Sequence, residues 1–168
     1  MNKFITLTRQ KVFVDANVIL YHLTGLVKDF SELCQMVRQK RGYLFTSLRV
    51  VDEVLFKTNI LKAREIYKYS RNILQKLKKD KEKIKKLANE IAFLEGFFSD
   101  FYIAVPTEKD LWHSLEVQKE YGLIGNDALI LVLMRRLKIK NLISSDTDFK
   151  NIPGINLVKG DWLAVSSQ

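Results

Sequence analysis

Apolar residues fall along this chain in two alternating patterns. Short runs that are apolar on both faces alternate with stretches in which apolar residues recur every three or four positions. The first run is Val12–Val14, closing on Asp15. Runs of this kind mark strands buried inside a parallel sheet. Helical spacing follows over 17–23 and again over 30–38, with Ser31 a candidate N-cap. YLFTS at 43–47 reads as a second strand. Leu48 to Lys57 then carries Val50, Val51, Val54 and Leu55 at helical spacing. FYIAV at 101–105 is a third strand, ended by Pro106. Thr107 caps a helix over 108–121, with Asp110 completing a capping pattern. Gly122 and Gly125 frame a turn before an apolar helix over 127–137. NLIS at 141–144 is a fourth strand, SDTDF a loop, and 155–158 a fifth strand at a sheet edge. Strands alternating with helices predict a three-layer α/β/α fold with a mostly parallel central sheet of four to five strands.

Residues 57–98 interrupt this rhythm. They hold no Pro, and no Gly before Gly96, so helix propensity is high throughout. Apolar residues recur at sevens: Ile66, Ile73, Leu87 and Leu94 in one row, and Leu77, Ile84, Ile91 and Phe98 in another. Asp80 interrupts the first row. Residues 61–98 therefore read as one long helix of ~50 Å or as two helices turning near Asp80. The hairpin is preferred, because a lone helix would leave its apolar stripe in need of a partner chain.

Charge sets the same segment apart. The chain carries a formal charge of +9 at pH 7. Residues 57–95 alone contribute +7, so the rest of the chain is nearly balanced. A concentrated basic arm suits a polyanion, either nucleic acid or an anionic membrane surface, with Lys76, Lys78, Lys79, Lys81, Lys83, Lys85 and Lys86 as the candidate contacts. The plainer reading is a solvated helix face.

Composition narrows the remaining classes. A length of 168 residues suits a single domain. The single cysteine, Cys34, excludes an intramolecular disulfide and a multi-cysteine zinc site. The chain reads as intracellular, and cytoplasmic is its expected location. No apolar run approaches a membrane span, and the first residues are too polar for a signal peptide. No P-loop motif occurs, which disfavours a nucleotide triphosphatase.

Carboxylates stand where a sheet enzyme would use them. Asp15 follows the first strand, Glu53 lies early in the helix after the second, Asp127 opens a helix, and Asp146 and Asp148 follow the fourth strand. In open α/β sheets, sites form outside the carboxyl ends of the strands. Clustered carboxylates repel unless a proton or cation neutralises them. Oxygen ligands select Mg²⁺ or Mn²⁺, ions suited to phosphodiester hydrolysis. Each acid also has a plain reading. Asp127 fits a helix first turn, Asp146 and Asp148 fit a turn, and Glu53 fits an i,i+4 pair with Lys57. Asp15 is harder to dismiss, since a carboxylate ending a buried strand needs a partner.

The runs VFVDANVIL, TSLRVVDEVLF, GLIGNDALIL and LISSDTDFKNIPGI, in this order, resemble the PIN-domain nucleases. Within that family they are most similar to the VapC-type toxins of toxin–antitoxin pairs. The resemblance covers 12–56 and 101–160. It implies an endoribonuclease in which Asp15, Glu53, Asp127 and Asp146 are catalytic and hold one or two Mg²⁺ or Mn²⁺ ions, with Asp148 assisting. Asn17, Ser47 and Ser144 would orient these carboxylates. Ala16 stands where the family often has Thr or Ser. The neighbouring acid Asp52 competes with Glu53 for the second position, and Glu53 is chosen. The resemblance further implies a homodimer and a small antitoxin partner. Two other readings stay open: an RNA-processing enzyme sharing the site, and a non-catalytic RNA-binding or assembly module. Residues 57–98 exceed the family's usual helical hairpin in length and charge.

Overall fold

The computed structural model describes residues 5–7, 9–39 and 42–165. A 3-10 turn at Ile5–Leu7 leads into β1 (Lys11–Val14), followed by α1 (Ala16–Leu23) and α2 (Asp29–Arg38). Then come β2 (Tyr43–Ser47) and α3 (Leu48–Tyr67). Three short helices follow: α4 (Ile73–Lys78), α5 (Lys81–Glu90) and α6 (Phe93–Phe98). The chain continues through β3 (Phe101–Ala104), α7 (Glu108–Tyr121), α8 (Asn126–Leu137) and β4 (Asn141–Ile143). A 3-10 turn at Thr147–Asn151, β5 (Asn156–Leu157) and α9 (Trp162–Val165) close it.

The five strands form one sheet in the order β3-β2-β1-β4-β5, and every pairing is parallel. Phe13 on β1 stands between Phe45 of β2 and Leu142 of β4. Val12, Phe13 and Val14 are buried on both faces, as their unbroken apolar run demands. Helices cover the sheet in a three-layer α/β fold, α1 packing on α3 and α7 on α8. The apolar α8 is buried from Ala128 through Met134. The order of strands places a switch point beside β1. The chain builds outward through β2 and β3, then crosses to β4 on the other side. A crevice opens between strand ends at such a point.

The stretch 57–98 is neither one long helix nor a simple two-helix hairpin. It contains the end of α3 and three short helices. The chain turns at Asp80, which caps α5 by accepting from Lys83 N at 3.2 Å. It also breaks earlier, between Lys68 at φ 54° and Asn72 at φ 53°. Two left-handed residues so close together stop any helix. The apolar rows are divided as a result. Ile73, Leu77 and Leu87 join Ala63 in a small separate core, with Ile60, Tyr67 and Tyr69 packed against it. Ile91, Leu94 and Phe98 belong to the main core. Ile66 and Ile84 are exposed. The segment covers most of its stripe by folding back on α3 and onto the main core.

Candidate active site

Asp15 ends β1 and caps α1 with no loop between them. Its backbone N–H donates to Ile143 O of β4 at 2.9 Å, fixing it at the junction of the two strands. The side chain is buried. One oxygen, Oδ1, accepts from Ala16 N at 2.6 Å, and the other accepts from the Ser144 hydroxyl at 2.8 Å. Burial pushes this carboxyl above its ordinary range. The Ser144 and Ala16 bonds oppose that push, and the charges of Glu53 and Asp146 add to it.

Ser144 links two of the acids. Its Oγ donates to Asp15 and accepts from Asp146 N at 3.0 Å. Asp146 starts the 3-10 turn, its Oδ1 accepting from Asp148 N at 2.8 Å. The turn-forming role open to Asp146 and Asp148 is thus realised, and it aims them from the end of β4.

Glu53 lies on α3. Its Oε1 is 2.6 Å from Lys57 Nζ, and its Oε2 accepts from Asn126 Nδ2 at 3.1 Å. The neighbouring Asp52 points to solvent and pairs with Arg49 at 3.2 Å. Of these two acids, it is Glu53 that the structure brings toward α8. Asp127 stands in the first turn of α8, behind Gly125 at the cap. Gly125 has φ 59° and ψ −114°, a conformation that residues with a Cβ rarely adopt. No side chain caps this helix start.

Asp127 is pushed from 3.8 up to about 7. Burial is the first cause, followed by the charges of Asp15, Asp146, Glu53 and Asp148. A first-turn acid stabilised by the helix dipole would shift the other way. The combined push of burial and the other carboxylates therefore outweighs the dipole. The other four sequence-picked acids thus all act on Asp127. Among the described residues, no three His, Cys, Asp or Glu side chains are gathered closely enough to form a ready-made ion site. Mutual repulsion is reason enough for that separation. The donors nonetheless fit a hard divalent cation: all are oxygens, and their charge is in excess.

Other expected residues are placed differently. Ser47 caps α3, its Oγ accepting from Val50 N at 3.1 Å, and no bond ties it to an acid. Asn17 sits in the first turn of α1, and no hydrogen bond links it to the acids among the described residues. Of the three orienting residues, only Ser144 bonds carboxylate. Sequence reasoning passed over Asn126 as a positioning group, although an amide beside the third acid was the available signal. His22 packs against Phe30 and Phe97.

The lysines lie on the small helical cap. Lys76, Lys78, Lys79, Lys81, Lys85 and Lys86 are exposed. Lys83 is half-buried. It donates to Tyr69 Oη at 2.9 Å, pairs with Asp80 at 3.3 Å and lies over the rings of Tyr67 and Tyr69. It is built into the cap's packing. Lys85 pairs with Glu82 at 2.7 Å. Among the described residues, no helix is long and apolar enough to cross a membrane.

The PIN domain family matches residues 12–155. The chain is 31% identical to Ribonuclease VapC2 of Methanocaldococcus jannaschii, over 92% of this chain and 97% of that protein. Its fold is similar to VapBC2 of Rickettsia felis bound to a DNA fragment from their promoter. That likeness has a TM-score of 0.57 and 19% identity, over 89% of this chain and 98% of the other. A toxin–antitoxin complex from Klebsiella pneumoniae is also similar, with a TM-score of 0.52 and 19% identity, over 87% and 96%.

Proposed function

The chain belongs to the PIN domain family, and on that premise we propose that it is a metal-dependent endoribonuclease, the toxin of a toxin–antitoxin pair. One observation carries the chemistry. Asp15, Glu53, Asp146 and Asp148, from three elements, act together with burial to raise the pKa of Asp127. An acidic site of this kind is an obstacle to RNA until a cation enters it. The identity to a VapC ribonuclease supports the substrate class, and the toxin–antitoxin complexes of similar fold support the pairing.

Asp15, Glu53, Asp127 and Asp146 would hold one or two Mg²⁺ or Mn²⁺ ions, with Asp148 assisting. The chemistry such ions supply is water activation and neutralisation of phosphate charge. The chain's own residues do the rest. Ser144 holds Asp15 and the Asp146 backbone in one register. Asn126 holds Glu53. Burial and the neighbouring carboxylates raise Asp127 to about 7, so a bound cation would favour its ionised form. The exposed lysines of the cap attract the RNA backbone without reading its sequence. A homodimer and a small antitoxin that covers the acidic site complete the reading.

The test is cleavage of RNA by purified protein with and without Mn²⁺, beside Asp127→Asn. Cleavage that needs the ion and is lost in the variant is expected. Equal cleavage in chelator, or by the variant, would overturn the reading. Toxin status is read separately, by growth arrest on expression and its relief by the product of an adjacent small reading frame.

A further inference from the structure

Among the described residues, the acidic site has one cation in direct contact, Lys57 on Glu53 at 2.6 Å. Exposed pairs at this spacing usually contribute little. This one differs in its surroundings. Glu53 is one of the carboxylates whose charges act on Asp127 and Asp15, so the Lys57 ammonium contacts a member of the cluster. The other Glu53 oxygen is held by Asn126 Nδ2. The orientation of that amide follows from its partner, because the flipped form would set Oδ1 against a carboxylate. Asn126 Oδ1 is buried and finds no hydrogen-bond partner. The side chain thus leaves a polar atom unsatisfied while it keeps hold of Glu53. That is poor design for stability alone.

The geometry points to Lys57 as a resident counter-ion of the site. Its ammonium neutralises Glu53 while no metal is bound, competes with an incoming divalent cation for that carboxylate, and moves away when the cation binds. Asn126 is the positioning residue that keeps Glu53 in place through the exchange. The lysine can leave because its side chain is 44% exposed and reaches solvent on a flexible stem. This inference rests on the acids being a metal centre.

The test titrates Mn²⁺ into RNA-free protein. It is read by calorimetry and by loss of the free-ion electron paramagnetic resonance signal. Lys57→Met removes the competitor and should bind Mn²⁺ roughly tenfold more tightly, the effect of one pKa unit's worth of charge. Lys57→Gln should do the same, and Lys57→Arg, which keeps the charge, should stay close to wild type. Asn126→Ala should bind roughly tenfold more weakly, as loss of a ligand-orienting bond does. In chelator, Lys57→Met should melt below wild type, and Mn²⁺ should raise its melting temperature by more. Mn²⁺ affinity unchanged or weakened in both Lys57→Met and Lys57→Gln overturns the counter-ion role and leaves the metal centre standing. A wild-type protein that takes up no Mn²⁺ overturns the metal centre itself, and the counter-ion with it.

Discussion

The sheet and the basic cap are stabilised in different ways. The sheet rests on one large core that includes Phe13, Val14, Leu131 and Ile143, all fully buried. The cap rests on four buried residues, Ala63, Ile73, Leu77 and Leu87. Around that small core the cap relies on local pairs such as Lys62–Glu65 and Lys85–Glu82. Exposed pairs of this kind contribute about 0–1 kcal/mol each. The large core carries the strand-end acids, whose charges and burial raise Asp127. The small core carries most of the chain's excess positive charge.

The largest expected effect separates chemistry from grip. Asp15→Asn or Asp127→Asn should reduce RNA cleavage by more than the roughly 10–100-fold that outer-sphere changes cost. Ser144→Ala should fall within that range, since it removes a bond to Asp15 but no carboxylate. RNA affinity, measured by anisotropy with Ca²⁺ in place of Mn²⁺, should not fall in either aspartate variant. A loss of binding equal to the loss of cleavage would break the division between the two regions.

Much of this was legible in the chain alone. VFV closing on Asp15, YLFTS and FYIAV announced their strands because each is short, apolar and sharply ended. The Thr107–Asp110 capping box was readable because its bonds lie within four residues. The acids were legible because each follows a strand or lies early in a helix. The cap was not. Its sevenfold spacing is continuous in sequence, and the break depends on left-handed conformations at Lys68 and Asn72, which no strong local signal at Lys68 announces. Nor could spacing reveal that Glu53 meets Asn126, 73 residues away. That bond exists only once β2 and β4 flank β1. Ser47, for which the resemblance implied a carboxylate-orienting role, stands at a strand-to-helix junction, where a serine is a natural cap, and it caps α3.

Two middle-sized effects probe the cores themselves. Leu131→Ala should cost about 2–5 kcal/mol and lower the single unfolding transition of the whole molecule. Leu87→Ala removes a side chain of the same type from the smaller core. Its effect should be local, with hydrogen exchange accelerating in α4 and α5 while β1 and β4 keep their protection. If both variants unfold the molecule as one unit, the two cores are a single cooperative structure. Replacing Lys78, Lys79, Lys81 and Lys86 with Gln should leave both cores intact. RNA binding should weaken, and the slope of log affinity against log salt should shrink by about 0.7 for each single-stranded phosphate no longer neutralised by a lysine.

The smallest effect has opposite signs in the two regions. Asp127 has an ordinary pKa of 3.8 and is raised to about 7 in the fold. Between about pH 4 and pH 7 the folded protein therefore holds a proton there that the unfolded chain has released. Stability falls as pH rises through that window and levels off above it. Asp15 is raised as well, so it acts in the same direction. In the cap, Asp80 and Glu65 are lowered, chiefly by hydrogen bonds from Lys83 and Lys62. Their contribution is present above the ordinary values of 3.8 and 4.5 and is lost as pH falls through the lower folded values. The cap thus holds its electrostatic stability above about pH 5, while the site loses stability up to about pH 7. In chelator, the melting temperature should decline from about pH 5 to pH 7 and level off above that. Asp127→Asn should flatten that decline and melt above wild type at about pH 8. Saturating Mn²⁺ should reverse it, because a cation favours the ionised acids that otherwise repel one another. A melting temperature that rises with pH in chelator, for wild type and variant alike, would place the pH-sensitive strain somewhere other than the strand ends.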